Sequence, residues 1–451
     1  MFMNWIKKHT QHLALAGFFL LIFFVYVISP VTTSTDSHWT LYVSASILSE
    51  HNLDLNEYER FIAKDDYRIL RWNGHIYSYF PIGTPLLATP AVWIIDRLFP
   101  LRYSTDFLTY LQENPPNSFT DNIEKWIASA IVAASAFFLY LLARQEIGKW
   151  PSIFLVLIFA FSTSMYSTAT RALWQNGPSA LCIVLAIYLL KQAGRSPAYL
   201  LWTGFVLAFA YLVRPTNSIA ILFFSLYILV NHRRALLPYV AGIGIPLGIF
   251  IVFSLITYHL ILPPYYLPQR LMGNSTFAEA LLGDLVSPAR GLLVFSPVII
   301  FSIYGIILKL KQSRPPWKNI DAYLAGILVA HWLAIASFRP WYGGWSIGPR
   351  FFSDMLPIFA YFLIPLFKSD YLASMQFTWK ALFVATVAFG IFVNAWCSIS
   401  PAPMLWNKEP EIVSKAPQRL WDWSDIQFLR GLCKNNPLEN SAPACWRKGL
   451  Q

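Results

Sequence analysis

The stretch that decides the fold is Leu13–Pro30, LALAGFFLLIFFVYVISP, joined almost directly to Thr32-Thr33-Ser34-Thr35-Asp36-Ser37-His38-Trp39-Thr40. An uninterrupted apolar run of this length suits the ~30 Å hydrocarbon core of a bilayer. It ends in Ile28-Ser29-Pro30-Val31, without the small-x-small pattern of a cleaved leader, so it reads as a retained span. At Asp36 begins a polar stretch of about 45 residues, the longest soluble interruption before the C-terminal tail. A carboxylate just beyond a span, in a wet loop backed by a large bundle, is where a membrane enzyme can keep a general base.

Composition agrees with a bundle. Of 451 residues, 56% are hydrophobic and only 13% charged, against roughly 25% charged in a soluble domain. Candidate spans are 13–30, 124–143, 151–169, 177–192, 198–213, 216–231, 235–258, 291–309, 320–338, 351–367 and 378–398. Segment 79–99 is apolar but interrupted by Pro81, Pro85 and Pro90, and reads as re-entrant or interfacial. The expected fold is therefore an all-α polytopic membrane protein of about 11–13 transmembrane helices. Residues 1–398 form the transmembrane domain, with 31–78 as its first outer loop, and 399–451 form a small tail.

Loop charges orient the chain. Lys7, Lys8, Arg144, Lys149, Lys191, Arg195, Arg233, Arg234, Lys309, Lys311, Arg314 and Lys318 fall on one side, which the positive-inside rule makes cytoplasmic. The N-terminus is then cytoplasmic, and the Asp36 loop and the tail lie outside an inner (plasma) membrane. The net charge of +11 is explained by this bias and by phosphate binding rather than by nucleic acid. The short outer connectors carry Arg171, Arg214, Arg270, Arg290, Arg339 and Arg350 and no lysine. Arginine offers a planar fork matched to phosphate oxygens. Structural pairing and snorkelling compete with that reading for each of them.

From Trp39 onward the apolar spacing suits a short amphipathic helix lying on the membrane, with Asp36 just ahead of it as either a cap or a base. His38, Tyr79, Trp341 and Trp345 are candidates for sugar or acceptor contact, the tryptophans competing as interface anchors. Asp66 and Asp54 are reserve bases. In the tail, Trp421 and Trp423 are placed to dock on the bundle. Cys433 and Cys445, in an outer and oxidising compartment, are expected to form a disulfide.

Asp36, the Tyr79–Pro90 stretch, Val213-Arg214-Pro215-Thr216-Asn217, Ser287-Pro288-Ala289-Arg290-Gly291 and Trp341-Tyr342-Gly343-Gly344-Trp345-Ser346-Ile347-Gly348-Pro349-Arg350 occur in an order that resembles the bacterial GT-C-fold glycosyltransferases. That group includes the protein mannosyltransferases and the lipid A aminoarabinose transferases, and the resemblance covers roughly residues 1–400. It implies a GT-C-like bundle whose first outer loop carries short interfacial helices. It also implies transfer of a sugar from a polyprenyl-phosphate donor to a glycan, lipid or protein acceptor on the outer face, with Asp36 as the base. Arg290, Arg350, Arg339, Arg214 and Arg171 are then the donor-phosphate candidates. Two departures stand out. Relatives often pair two acids in the first loop, whereas Ser37 and His38 come after Asp36, so no metal is expected to be required, although a divalent ion is possible. Relatives often show a Lys-Pro-Pro-like motif where this chain has Tyr79-Phe80-Pro81. The competing classes are a transporter or lipid flippase, which places charges inside its spans and repeats its halves, and an O-antigen ligase or polymerase, which keeps its large loop late in the chain.

Overall fold

Backbone out of reach of water must satisfy its own N–H and C=O groups, so apolar runs in a membrane wind into helices. All eleven candidate spans do so in the computed structural model, which describes residues 2–103, 105–267, 274–312, 315–368, 371 and 374–432. They appear as α1 (Phe2–Ile28), α5 (Ser118–Ala143), α6 (Lys149–Phe161), α7 (Asn176–Gln192), α8 (Ala198–Val213), α9 (Ser218–Asn231), α10 (Leu236–Tyr258), α13 (Ile299–Gln312), α14 (Ile320–Ala336), α15 (Leu356–Leu363) and α16 (Phe377–Ile399). Among the described residues, four helical stretches are long and apolar enough to cross a membrane: Ser118–Ala143, Arg233–Tyr258, Arg350–Phe367 and Phe377–Ile399. Shorter apolar helices accompany them. Leu237, Ile245, Ile249 and Ile256 of α10 stand exposed, as a helix facing lipid requires.

Two spans are broken. Residues 151–169 stop as α-helix at Phe161 and resume as a π turn at Met165–Ala169; between them the Ser162 and Thr163 hydroxyls bond Val387 O (3.0 Å) and Phe159 O (2.7 Å). Residues 291–309 divide into α12 (Leu292–Phe295) and α13 around Ser296-Pro297, where proline supplies no N–H. Segment 79–99 forms a helix, α3 (Gly83–Leu98), and its first residue lies against the backbone of Leu212 and Val213 so closely that a Cβ would overlap them.

The first loop departs from expectation. Helix α2 (Thr40–Ser49) begins one residue after Trp39, but it does not lie on the surface: Thr40 to Ser46 are all buried, packed with α3 and α4 (Phe107–Glu113). Its polar residues tolerate burial because Ser44 and Ser46 hydroxyls return to Thr40 O (3.1 Å) and Tyr42 O (3.0 Å) one turn back. Ser44 also reaches Pro85 O on α3 (2.9 Å). A hairpin, β1 (Ile69–Trp72) with β2 (His75–Ser78), turns through Asn73-Gly74, both at positive φ (49° and 81°). Sequence reasoning passed over it, although Asn-Gly between β-formers is the strongest short hairpin signal.

The connectors sort onto two ends. At one end Glu146, between α5 and α6, accepts from Lys309 Nζ (3.0 and 3.1 Å) and pairs with Lys191, while Tyr361 donates to Asp321 (2.6 Å). Burial raises the Glu146 carboxyl, but the two lysines outweigh it and hold it down at about 2. A depressed pKa stabilises the fold fully above the ordinary 4.5, and that contribution is lost as pH falls towards about 2. Glu146→Gln will therefore lower the melting temperature of the detergent-solubilised protein at pH 7, with a deficit that shrinks only as the buffer is taken below 4.5. A deficit independent of pH across that window would show that the carboxylate charge is not what matters. At the opposite end lie Arg171, Arg214, Arg290, Arg350 and the Asp36 loop. Residues 399–432 pack there, with Trp406 fully buried and Trp421 donating to Glu279 (2.9 Å), while Trp423 stays exposed. Arg270, Arg314, Cys433 and Cys445 lie outside the described residues.

Candidate active site

A cavity of about 1140 Å³ opens at that second end, between the first loop and the bundle. Thr35, Asp36, His38, Tyr67 and Arg68 of the first loop line it, as do the largely apolar Tyr211, Ile219, Ala334, Phe338 and Phe351 of the bundle. Tyr79, Arg214, Arg339, Trp345 and Arg350 also line it.

At its centre is an ion pair between chain-distant residues. Arg350 Nη2 lies 2.5 Å from Asp36 Oδ2, and Tyr67 OH donates to Asp36 Oδ1 (2.9 Å). Arg350 is held from behind: its guanidinium sits over the Trp174 ring, 3.8 Å from the centroid, and its carbonyl accepts from Asn176 Nδ2 (2.7 Å). Desolvation alone would raise Asp36, but Arg350 and the Tyr67 hydroxyl prevail, so its carboxyl titrates below the ordinary carboxylate range. Asp36 does not cap α2, whose N-cap residue is Trp39 with no side-chain cap bond.

The hairpin explains Tyr67 and Arg68. Its open end carries Arg68, whose carbonyl accepts from Tyr79 N (2.7 Å), so both residues reach the cavity together. Arg68 forks onto Asp66 (2.7 and 2.9 Å) and donates to His38 Nδ1. Arginine can only donate, so the His38 proton sits on Nε2, which faces Asp121 Oδ1 at 3.6 Å. Desolvation and the Arg68 charge both lower the His38 pKa. Behind the loop, Ser34 and Ser37 hydroxyls donate to buried Glu124 (2.6 and 2.5 Å) and fasten the loop to α5. The reserve bases are committed elsewhere: Asp66 to Arg68, Asp54 to His75 (3.0 Å), and neither lines the cavity.

Arg214 is presented from a second buried pair. Its Nη1 is 2.8 Å from Asp354 Oδ2, and Asp354 Oδ1 is 3.7 Å from His331 Nε2, the latter two residues being fully buried. Arg339 is exposed at the rim and has no ion-pair partner among the described residues.

Three expected ligand contacts are corrected. Arg171 is fully buried and spends its guanidinium on Tyr26 O (2.7 Å), Ser29 O (3.2 Å) and Thr170 Oγ1 (2.8 Å), tying α7's entry to the end of α1. Arg290, also buried, gives its donors to protein oxygens and does not line the cavity. Trp341 packs under Gly283 of α11 (Phe277–Val286) and beside Trp421, away from the cavity. Within the candidate spans, Glu124, Lys125, His331 and Asp354 are buried. An ionisable residue inside an apolar run is itself a site signal, and Asp354 in 351–367 was legible on that basis. Among the described residues, no group of three His, Cys, Asp or Glu side chains gathers to hold a metal.

The family described as dolichyl-phosphate-mannose-protein mannosyltransferase matches residues 122–259. No curated protein matches the sequence. Among solved structures, an oligosaccharyltransferase from Archaeoglobus fulgidus, AglB, in complex with an inhibitory peptide and a dolichol-phosphate, is similar with TM-score 0.52 at 13% identity, over 96% of this chain and 62% of that one. The Archaeoglobus fulgidus oligosaccharyltransferase tethered to an acceptor peptide is similar with TM-score 0.52 at 12% identity, over 98% of this chain. This chain spans only about 61% of that protein's length. At such identities the structural likeness shows the fold alone: the chain is a multi-pass helical membrane protein of the GT-C fold, and residues 122–259 match the mannosyltransferase family's sequence pattern.

Proposed function

We propose that this protein is a membrane glycosyltransferase that moves a sugar from a polyprenyl-phosphate carrier to an acceptor hydroxyl at the outer face of an inner (plasma) membrane. The observation that carries the proposal is the Asp36–Arg350 pair in a cavity lined by both charged and apolar side chains. The apolar lining residues suit a polyprenyl chain. Arg350, Arg214 and Arg339 are spaced around the same cavity for the phosphate. A carrier of this kind also fits the neighbouring fold, since the archaeal enzyme is solved with a dolichol-phosphate.

In the proposed reaction the acceptor oxygen forms a bond to the anomeric carbon while the bond from that carbon to the phosphate oxygen breaks. The acceptor proton passes to Asp36, and the polyprenyl phosphate leaves with the electron pair. An aspartate locked to arginine is a weak base. Donor phosphate competes for Arg350, and as that guanidinium turns to it the Asp36 carboxylate loses its main stabilising partner and becomes more basic. The arginines then offset the charge that grows on the departing phosphate, so the reaction draws its positive charge from side chains and uses no required metal. Trp345 and Tyr79 offer rings to the sugar.

The test is transfer by the purified chain in nanodiscs, offered sugars on polyprenyl phosphate or on nucleotides, with release of polyprenyl phosphate measured. Release that depends on an added acceptor is expected. Transfer from nucleotide sugars alone, with none from any lipid-phosphate sugar, overturns the reading.

A further inference from the structure

Arg290 is a buried cation with no carboxylate paired to it among the described residues, which demands an explanation. All of its N–H donors are used. Nε donates to Tyr342 O (2.9 Å), Nη1 to Ala289 O (2.8 Å) and Gln427 Oε1 (2.8 Å), and Nη2 to Gly344 O (3.1 Å) and Asn407 Oδ1 (2.6 Å). The two amides it meets belong to the tail and continue along the same strand of backbone. Gln427 Nε2 and Asn407 Nδ2 both donate to Ser346 O (2.8 and 3.1 Å), and Gln427 Oε1 accepts from Gly348 N (3.1 Å). Gln427 also donates to Pro403 O (3.1 Å), so all of its side-chain hydrogen-bonding capacity is committed in full burial. The backbone of residues 342, 344, 346 and 348 is thus gripped at every second residue, and the other edge of the segment presents Gly343, Gly344 and Trp345 to the cavity.

The segment needs such a grip. Gly343, Gly344 and Gly348 all take positive φ (70°, 67° and 58°), and glycines are free to leave that conformation. Two residues beyond the last tether stands Arg350, whose N–H bonds Gly348 O (2.9 Å).

We propose that the tail is a positioning element for the site: Gln427 and Asn407, through Arg290, hold the 342–348 segment so that Trp345 and Arg350 meet the donor. This rests on the reading of the cavity as a lipid-phosphate site. Gln427 and Asn407 touch no substrate; they act through the loop.

The experiment uses the full chain in nanodiscs, with hydrogen exchange read peptide by peptide and decaprenyl phosphate as the binding probe. Gln427→Leu keeps the volume and removes the tethers. It is expected to speed exchange across 342–350 by about tenfold or more, the loss of one or two net hydrogen bonds, and to weaken the probe several-fold, with α5, α7 and α8 unchanged. Asn407→Asp keeps the acceptor for Arg290 and loses the amide's donations to Ser346 O and Met404 O, of which only the first holds the 342–348 segment, so it should show the same pattern at smaller amplitude; it also serves if Gln427→Leu does not fold. Unchanged exchange across 342–350 in both variants overturns the proposal. So does faster exchange with normal probe affinity, provided Arg350→Ala does lose affinity. If Arg350→Ala binds the probe normally, the lipid-phosphate reading falls instead, and the exchange arm alone decides whether the tail holds the loop.

Discussion

Replacing Asp36 with Asn will lower sugar transfer by ~100- to 10,000-fold, the usual effect of losing a positioned base, while expression and membrane insertion stay normal. Asparagine keeps the shape, and its amide can still bond Tyr67 and Arg350, so the pocket need not collapse. The pH dependence comes from the same geometry. A carboxyl held below its ordinary 3.8 is ionised throughout the working range, so in the free enzyme it produces no acid limb of kcat/KM between about pH 5 and 8. Its contribution to stability is likewise complete above 3.8 and declines only as pH falls through the lower folded value. Near-normal turnover in Asp36→Asn would move the base elsewhere, and since neither Asp66 nor Asp54 reaches the cavity, no carboxylate named from the sequence could replace it.

The features legible in the sequence and those hidden in it divide along a physical line. Apolar length reported the helices, because that property is local. Asp36 was visible for the same reason: it is the first acid after the first span. The partners were not, since Arg350 is 314 residues away and nothing short of the fold brings it to Asp36. Arginine beside Pro and Gly at a turn looks the same whether it faces a ligand or backbone carbonyls. Arg350 and Arg214 lie at the cavity, whereas Arg171 and Arg290 became internal braces, and that choice depends on which carbonyls the chain happens to leave unpaired. Helix α2 was misplaced because its pattern looked half polar, while its serines satisfy themselves within the helix and allow full burial. Tyr67 and Arg68 went unnoticed inside a polar stretch whose Asn-Gly turn, once recognised, orders the whole segment.

Replacing Arg350 with Ala will raise the apparent KM for the lipid-phosphate donor and lower kcat, together by about 100-fold or more, because in the proposed reaction one residue serves both ends. In the resting site it holds Asp36; in the proposed reaction it turns to the donor phosphate. Removing it leaves the carboxylate, which is 23% exposed, with Tyr67 as its main remaining partner. Arg350→Lys will recover only part of the loss. A point charge replaces the fork, and the flat stack on Trp174 at 3.8 Å is weakened. The two arginines should differ in degree. Arg290→Ala strips several tethers from the 342–348 segment and should lower thermal stability more than Arg350→Ala, which breaks one partly exposed ion pair with Asp36. Coupling gives the stricter check. If Asp36 and Arg350 act as one unit, the double variant Asp36→Asn with Arg350→Ala will be little worse than the poorer single variant. Donor titrations on the four purified proteins decide it: effects that simply multiply, or a donor dependence in Arg350→Ala equal to that of the wild type, would leave the pair as a structural tie between loop and bundle.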